Sequence, residues 1–471
     1  MVLGFNCMAQ QKKDQPAPVR WQPSRRDVLR LGGLGGLGLT WPQLLQARDQ
    51  AAGSKAATFG RAKRVIMLFL HGGHPQQETF DPKPTGPTEV RGEFGAISTR
   101  IPGIQFSELL PQCAQIADQL AVVRSMSHDN ANHVQACLPA QTGHKHPKLF
   151  SSRGDFPPSE TDFPPFGAVL DHVRPAGSDL PTWVRVGPLM RRSNGTTLHG
   201  QTPGFLGKQH SSFAVDQALL PADVKIKALD SQPDLTTVRL TDRQQLRQQF
   251  NQLSQQLDRV ANEQSLNGYY ARAVNLLASA KTRQAFDLAQ EPEKLRERYG
   301  KTEFGQRCLL ARRLAEAGVP LVNVSYCHTP SGSWDTHGQN FKKMKDSLGP
   351  DLDTALTALV GDLKERGMLS DTLVVVNAEF GRTPAINKNA GRDHWPWVYS
   401  LVLAGAGVNA GTVYGASDKS AAYPASKPHD PADMAATIYH LLGVSPDTRI
   451  YDSLRRPHTL VTGLPIEPLL A

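Results

Sequence analysis

Cysteine is scarce in this chain of 471 residues: Cys7 stands near the start, and only Cys113, Cys137, Cys308 and Cys327 follow. No two of them form a C-x-x-C pair and their spacing is irregular, which excludes a cysteine-built zinc site. Four scattered thiols in a chain of this size read as buried small hydrophobes. Long apolar runs are missing too. The Gly/Leu stretch from Leu31 to Trp41 covers eleven residues, against the ~20 that a membrane-spanning helix needs. There is no internal repeat, and ordinary apolar and charged fractions exclude a disordered or fibrous chain. Acidic residues number 43 against 52 basic ones, a formal charge of +9, but residues 1–52 hold seven Lys/Arg and three Asp/Glu, leaving +5 for the remainder. That surplus is modest and unclustered, so no nucleic-acid partner is expected.

What is present begins with a targeting pattern. Ser24-Arg25-Arg26-Asp27-Val28-Leu29 is a twin-arginine signature ahead of the weakly hydrophobic run, and Ala47, Ala51, Ala52 and Ala57 offer small residues for cleavage. Residues 1–57 are therefore expected to be a signal and linker, with the twin-arginine translocase as the partner in export and the periplasm or the exterior as destination. The mature chain would keep no transmembrane segment. The alternative is a glycine-rich linker behind two ordinary arginines. Export of this kind carries folded proteins, which suits one loaded with a metal beforehand.

Residues 58–471 read as one α/β domain. Ala62–Leu70 is a continuous apolar run ended by His71-Gly72-Gly73, the pattern of a central parallel strand feeding a glycine turn. Leu120–Arg124, Trp183–Val186, Pro320–Tyr326, Leu373–Asn377 and Val398–Ala404 continue the series, with helices expected near Asp351–Arg366 and Ala432–Leu442. Such alternation predicts a mostly parallel central sheet with helices on both faces. Residues 241–298, a Gln/Leu/Arg pattern, predict a helical insertion of two or three amphipathic helices. Phe156–Pro165 and Gly200–Gly207 are loops by composition.

Carboxylates and histidines recur just past these strands, where open α/β sheets place their chemistry. Asp335 and His337, two apart, share a side of an extended segment and form a candidate ligand pair, or else a hydrogen-bonded loop pair. Glu379, directly after a buried strand, either binds something or pairs with Arg382. Asp393 and His394 are adjacent and would face opposite ways, His394 as ligand and Asp393 as the carboxylate that orients a histidine. Between Ser127 and His133 stand His128, Asp129 and two amides. His133 is a candidate ligand, general acid or nucleophile and His128 a further catalytic candidate, while Asp129 or Asn130 offers a helix cap. Glu78 is a candidate ligand past the first strand, and Asp81 before Pro82 a turn residue. Mixed nitrogen and oxygen donors of this kind suit zinc, manganese or iron, as one or two divalent ions, better than calcium. Arg382 is a candidate anion clamp, with Lys145, His144 and His146 as further positive charge.

Three stretches resemble the alkaline phosphatase and sulfatase superfamily: Thr372–Gly381, Asp393–Leu403, and His429–Val444 with its terminal-helix pattern. More closely, GGHPQQETFDPKP, SMSHDNANH, WDTHGQN, EFGRTP and GRDHWP, behind a twin-arginine leader, resemble the domain-of-unknown-function family numbered 1501, common in planctomycete-type genomes. The resemblance implies an alkaline phosphatase-like fold with metal at the strand ends. The chain departs from the superfamily where His71 replaces a first-strand Asp, where Glu379-Phe380 replaces an Asp-His pair, and where His133 stands in place of the hydroxyl or thiol nucleophile. The expected activity is thus metal-dependent hydrolysis of a phosphate or sulfate ester on a small anionic substrate, with metal-bound water as nucleophile. The rival expectation is a non-catalytic carbohydrate- or envelope-polymer-binding protein on the same fold.

Overall fold

The six apolar runs all enter one eight-stranded sheet of the computed structural model, which describes residues 57–145, 155–176, 180–220, 279–327 and 333–471. In chain order the strands are β1 (Arg64–Phe69), β2 (Ala121–Met126), β3 (Trp183–Val186), β4 (Phe213–Val215), β5 (Leu321–Ser325), β6 (Thr372–Asn377), β9 (Tyr399–Ala404) and β10 (Thr412–Tyr414), leaving β7 (Gly381–Arg382) and β8 (His394–Trp395) for a separate ladder. The order across the sheet is β10-β2-β9-β6-β1-β5-β3-β4. Pairing is parallel except that β9 runs antiparallel to both β2 and β6. β4 and β10 escape sequence reading because three half-buried residues at a sheet edge carry no usable periodicity.

The central strands are apolar throughout because both faces are covered. Along β1, Ile66 and Leu68 enter one core with α3 (Glu303–Ala317) and α4 (Gly349–Glu365). Val65 and Met67, one step out of phase, enter a second core with α2 (Phe166–Val173) and α5 (Pro431–Leu441). This is the expected α/β arrangement with helices on both faces. The helix α1 (His133–Thr142) is buried along its whole length, and its cap is Asn132, whose side chain accepts from the Val134 amide at 2.8 Å, rather than Asp129 or Asn130.

The described residues belong to a compact unit running from Lys55 to Ala471. The twin-arginine segment, His146 and residues 241–278 of the expected insertion lie outside the described residues. From the remainder of that stretch, Ala280–Phe286 and Glu293–Arg298 are short helices. No helix among the described residues is long and apolar enough to cross a membrane.

The topology gathers four chain segments at one edge. β1, β2, β5 and β6 all end there, with Phe69 level with Ser325 and Asn377, while the antiparallel β9 starts there with Tyr399 opposite Met126. The residues following β1, β2, β5 and β6, and those preceding β9, therefore meet.

Candidate metal centre

His133, Asp335, His337 and His394 each offer one donor atom within 4.8 Å of all the others. Asp335 Oδ1 is the focus: His133 Nε2 stands 3.3 Å away, His337 Nε2 3.1 Å and His394 Nε2 3.2 Å. The Nε2 atoms of His337 and His394 are only 2.8 Å apart.

Local sequence builds this convergence. Along Trp334-Asp335-Thr336-His337 the first and third side chains are buried while the second and fourth face the opening. Trp334 anchors the segment: its amide donates to the His71 carbonyl at 3.1 Å and its ring meets Tyr326 edge-on. Gly72 sits at φ +114°, and a Cβ there would run into the Asp335 backbone nitrogen, so the glycine turn after β1 is what lets the Asp335 loop approach. His394 comes from the β7–β8 ladder, paired with Arg382. Asp393 and His394 diverge as adjacent extended residues must, Asp393 reaching the outer side of His337 and His394 the carboxylate of Asp335.

Hydrogen bonds on the far side of each ring set the tautomers. His394 Nδ1 lies 2.7 Å from the Ala131 carbonyl, which only accepts, so Nδ1 carries the proton and Nε2 is bare. His337 Nδ1 is 2.6 Å from Asp393 Oδ1, and the histidine and Asn387 hold that carboxyl below its usual range. His133 Nδ1 is 2.6 Å from Glu379 Oε1. In the neutral form of these tautomers three Nε2 lone pairs and one carboxylate oxygen would converge, while Arg382 Nη2 donates to Asp335 at 2.7 Å. Such a set of acceptors fits a cation.

Without an ion, protons occupy the space between these groups, and they are what a cation would displace. Burial works to raise the Asp335 carboxyl, but hydrogen bonds from His133, His337 and His394 and the charge of Arg382 hold it well below the ordinary carboxylate range. Burial lowers His394 to about 4, which leaves its ring neutral and able to ligate. His337 is raised by its bond to Asp335. In His133 the pull of Asp335 and Glu379 upward outweighs burial.

A second group, His71, His133 and Glu379, is wholly buried and shares His133 with the first. Glu379 Oε1 accepts from the Gly72 amide at 2.8 Å, while its Oε2 is buried with no partner. Burial lowers His71 to about 4, and its Nδ1 lies 3.4 Å from Cys327 Sγ.

Of the candidate residues read from the sequence, His133, Asp335, His337, Glu379 and His394 are brought together. Asp393 stands behind His337 as the orienting carboxylate. Glu78 lies apart: its carboxylate takes the Arg392 guanidinium at 2.6–3.1 Å, an ion pair buried on both sides. Arg382 is fully buried, donating to the carbonyls of Gly72, Gly73 and Arg392 as well as to Asp335, so it has little left for a substrate and instead fixes Asp335. His128 is also spent, its Nε2 donating to the Glu379 carbonyl at 2.6 Å and its Nδ1 accepting from the Asn130 amide. His144 stacks on Phe163 and bonds the Leu460 carbonyl, and Lys145 pairs with Asp129. His71, read in the sequence as the residue that replaces the superfamily's first-strand Asp but not as a ligand, belongs to the second group.

His74, three residues on, is buried with neither ring nitrogen partnered, edge-on to Phe80 and Trp334. Burial lowers its pKa from 6.5 to about 4. Between those values the unfolded chain takes up a proton that the folded chain refuses, so stability falls as pH drops from about 6.5 to about 4, by roughly 3 kcal/mol for this residue. Urea midpoints across that range are expected to decline less steeply in His74→Phe than in wild type, whatever the variant's level at pH 7. Parallel declines would show that His74 is not a source of the slope.

The model of the family described as "Protein of unknown function (DUF1501)" matches residues 62–470. No curated protein matches the chain. Solved structures to which it is similar include the PsFucS1 sulfatase from Pseudoalteromonas sp. (14% identity, 90% of this chain and 76% of that one, TM-score 0.40). Others are an alkaline phosphatase from the Antarctic bacterium TAB5 (11%, 81% and 97%, 0.36) and a phosphonate monoester hydrolase of Agrobacterium radiobacter (13%, 86% and 77%, 0.36). With TM-scores below 0.5, these likenesses lend no weight to the site, which stands on its own residues.

Proposed function

This chain belongs to the DUF1501 family, and from that premise we propose that it is an exported, metal-dependent hydrolase of phosphate or sulfate esters. One observation carries the reading: the Nε2 atoms of three imidazoles converge within 3.3 Å of Asp335 Oδ1, a set of nitrogen and oxygen ligand atoms within reach of one ion. A divalent cation held there, of the zinc, manganese or iron kind, would supply Lewis acidity, lowering the pKa of a coordinated water and neutralising charge on the ester oxygens.

The chain's own residues do the rest. His133, Asp335, His337 and His394 would hold the ion, Asp393 and the Ala131 carbonyl keep the His337 and His394 rings in the ligating tautomer, and Arg382 pins Asp335 from behind. Half-exposed His337 marks the open side, from which substrate enters. Among the described residues no hydroxyl or thiol stands with these groups, and in this reading water delivers the attacking oxygen. Export by the twin-arginine translocase to the periplasm or beyond completes the reading, on the Ser24–Leu29 signature.

Elemental analysis of protein matured through its own export route, with hydrolysis of 4-nitrophenyl phosphate and 4-nitrophenyl sulfate, tests it. Stoichiometric transition metal in wild type, lost together with hydrolysis in His394→Ala, is expected. Wild type without metal would favour a non-catalytic, polymer-binding protein on this fold.

A further inference from the structure

We infer that His133 bridges two cations, binding one through Nε2 beside Asp335, His337 and His394 and a second through Nδ1 beside His71 and Glu379. The inference rests on the metal-centre reading above and adds a second, buried site with a shared ligand. The ring belongs to both donor groups, and its two nitrogens face different carboxylates, Nε2 at 3.3 Å from Asp335 and Nδ1 at 2.6 Å from Glu379.

The second site has its own demand for a cation. Glu379 has no exposed surface, and its Oε2 has no hydrogen-bond partner. A buried anionic oxygen left unsatisfied is costly. No lysine or arginine lies within ion-pair distance of it among the described residues, and the partners of its side chain, His133 and the Gly72 amide, both sit on Oε1. His71 completes a set of two imidazoles and one carboxylate, a donor mixture that suits zinc, manganese or iron. The Nδ1 of His71 lies 3.4 Å from Cys327 Sγ, which leaves its Nε2 for a metal.

The proton balance is simple. A neutral imidazole carries one N–H, so ligating through both nitrogens requires that proton to leave to solvent as the second ion binds. The resulting imidazolate, Asp335 and Glu379 together bring three negative charges against two divalent cations. No electrons move. With both lone pairs spent, His133 has none with which to attack a phosphorus or sulfur centre, which leaves water as the nucleophile.

Copper(II) is a direct probe, since it ranks high in affinity for nitrogen sites and its unpaired spin reports a bridge. Full-length exported protein, stripped by chelation, would be titrated with copper(II) and followed by bound-metal analysis and electron paramagnetic resonance. Two equivalents are expected to bind, with the signal of the first quenched as the second enters, because an imidazolate couples the spins antiferromagnetically. Glu379→Gln, nearly isosteric, is expected to bind one equivalent with its full signal. Two equivalents with additive signals would overturn the bridge. One equivalent in wild type, lost in Asp335→Asn and retained in Glu379→Gln, would overturn the second site and leave the hydrolase reading standing. No bound copper would sink both. The wild-type titration needs no variant to fold, so the bridge stays open to refutation even if a substitution unfolds the chain.

Discussion

Asp335→Asn is expected to abolish hydrolysis and to weaken metal binding by about two orders of magnitude or more, since even residues that merely orient ligands cost 10–100-fold. The physical reason is the position of Oδ1, on which three imidazole nitrogens and the Arg382 guanidinium all converge. Asparagine keeps an oxygen and loses the charge, so the change tests electrostatics more than shape. It also removes the one carboxylate that, among the described residues, pairs with a guanidinium that has no exposed surface. Breaking one side of a buried pair costs about 3–5 kcal/mol, so the unfolding midpoint should fall as well. Isothermal titration with zinc, run beside urea unfolding of the metal-free protein, separates the two effects. A variant that binds zinc as wild type does would remove Asp335 from the centre.

The second large effect is expected from Glu78→Gln, in stability and not in metal binding. Glu78 and Arg392 are paired at 2.6–3.1 Å with neither exposed. The same guanidinium donates to the carbonyls of Val90, Thr383 and Pro384, stapling the 383–393 loop that delivers Asp393 and His394. Losing the carboxylate leaves a buried cation without its counter-charge, a cost of about 3–5 kcal/mol. Urea unfolding should show it, while protein kept folded retains its metal. If metal content instead dropped with stability unchanged, Glu78 would be a ligand and its pairing with Arg392 incidental.

Much of this was legible in the residues themselves. Glu379 could be singled out because a carboxylate closing a strand as apolar as Leu373–Val376 must have a reason to be there, and the structure buries it completely. Asp335 and His337 could be paired because an extended segment turns alternate side chains the same way. Other assignments were out of reach. Nothing near Arg382 in the sequence reveals that its donors are taken by the carbonyls of Gly72 and Gly73, more than 300 residues away. Glu78 looked like a ligand because it follows the first strand, and its partner Arg392 lies 314 residues on.

The sequence by itself determined where six of the eight sheet strands run and which chain segments follow them, because burial on both faces demands unbroken apolar runs and a two-residue period is local. Only the tertiary structure decided which of the side chains at that edge meet. His71, His133, Asp335, Glu379 and His394 come from four separate connections, Glu379 and His394 sharing the one between β6 and β9, and their distances depend on strand order and register, on a glycine turn that admits the Asp335 loop, and on the bonds that fix each imidazole's tautomer. Those are through-space quantities, and a linear pattern carries no measure of them.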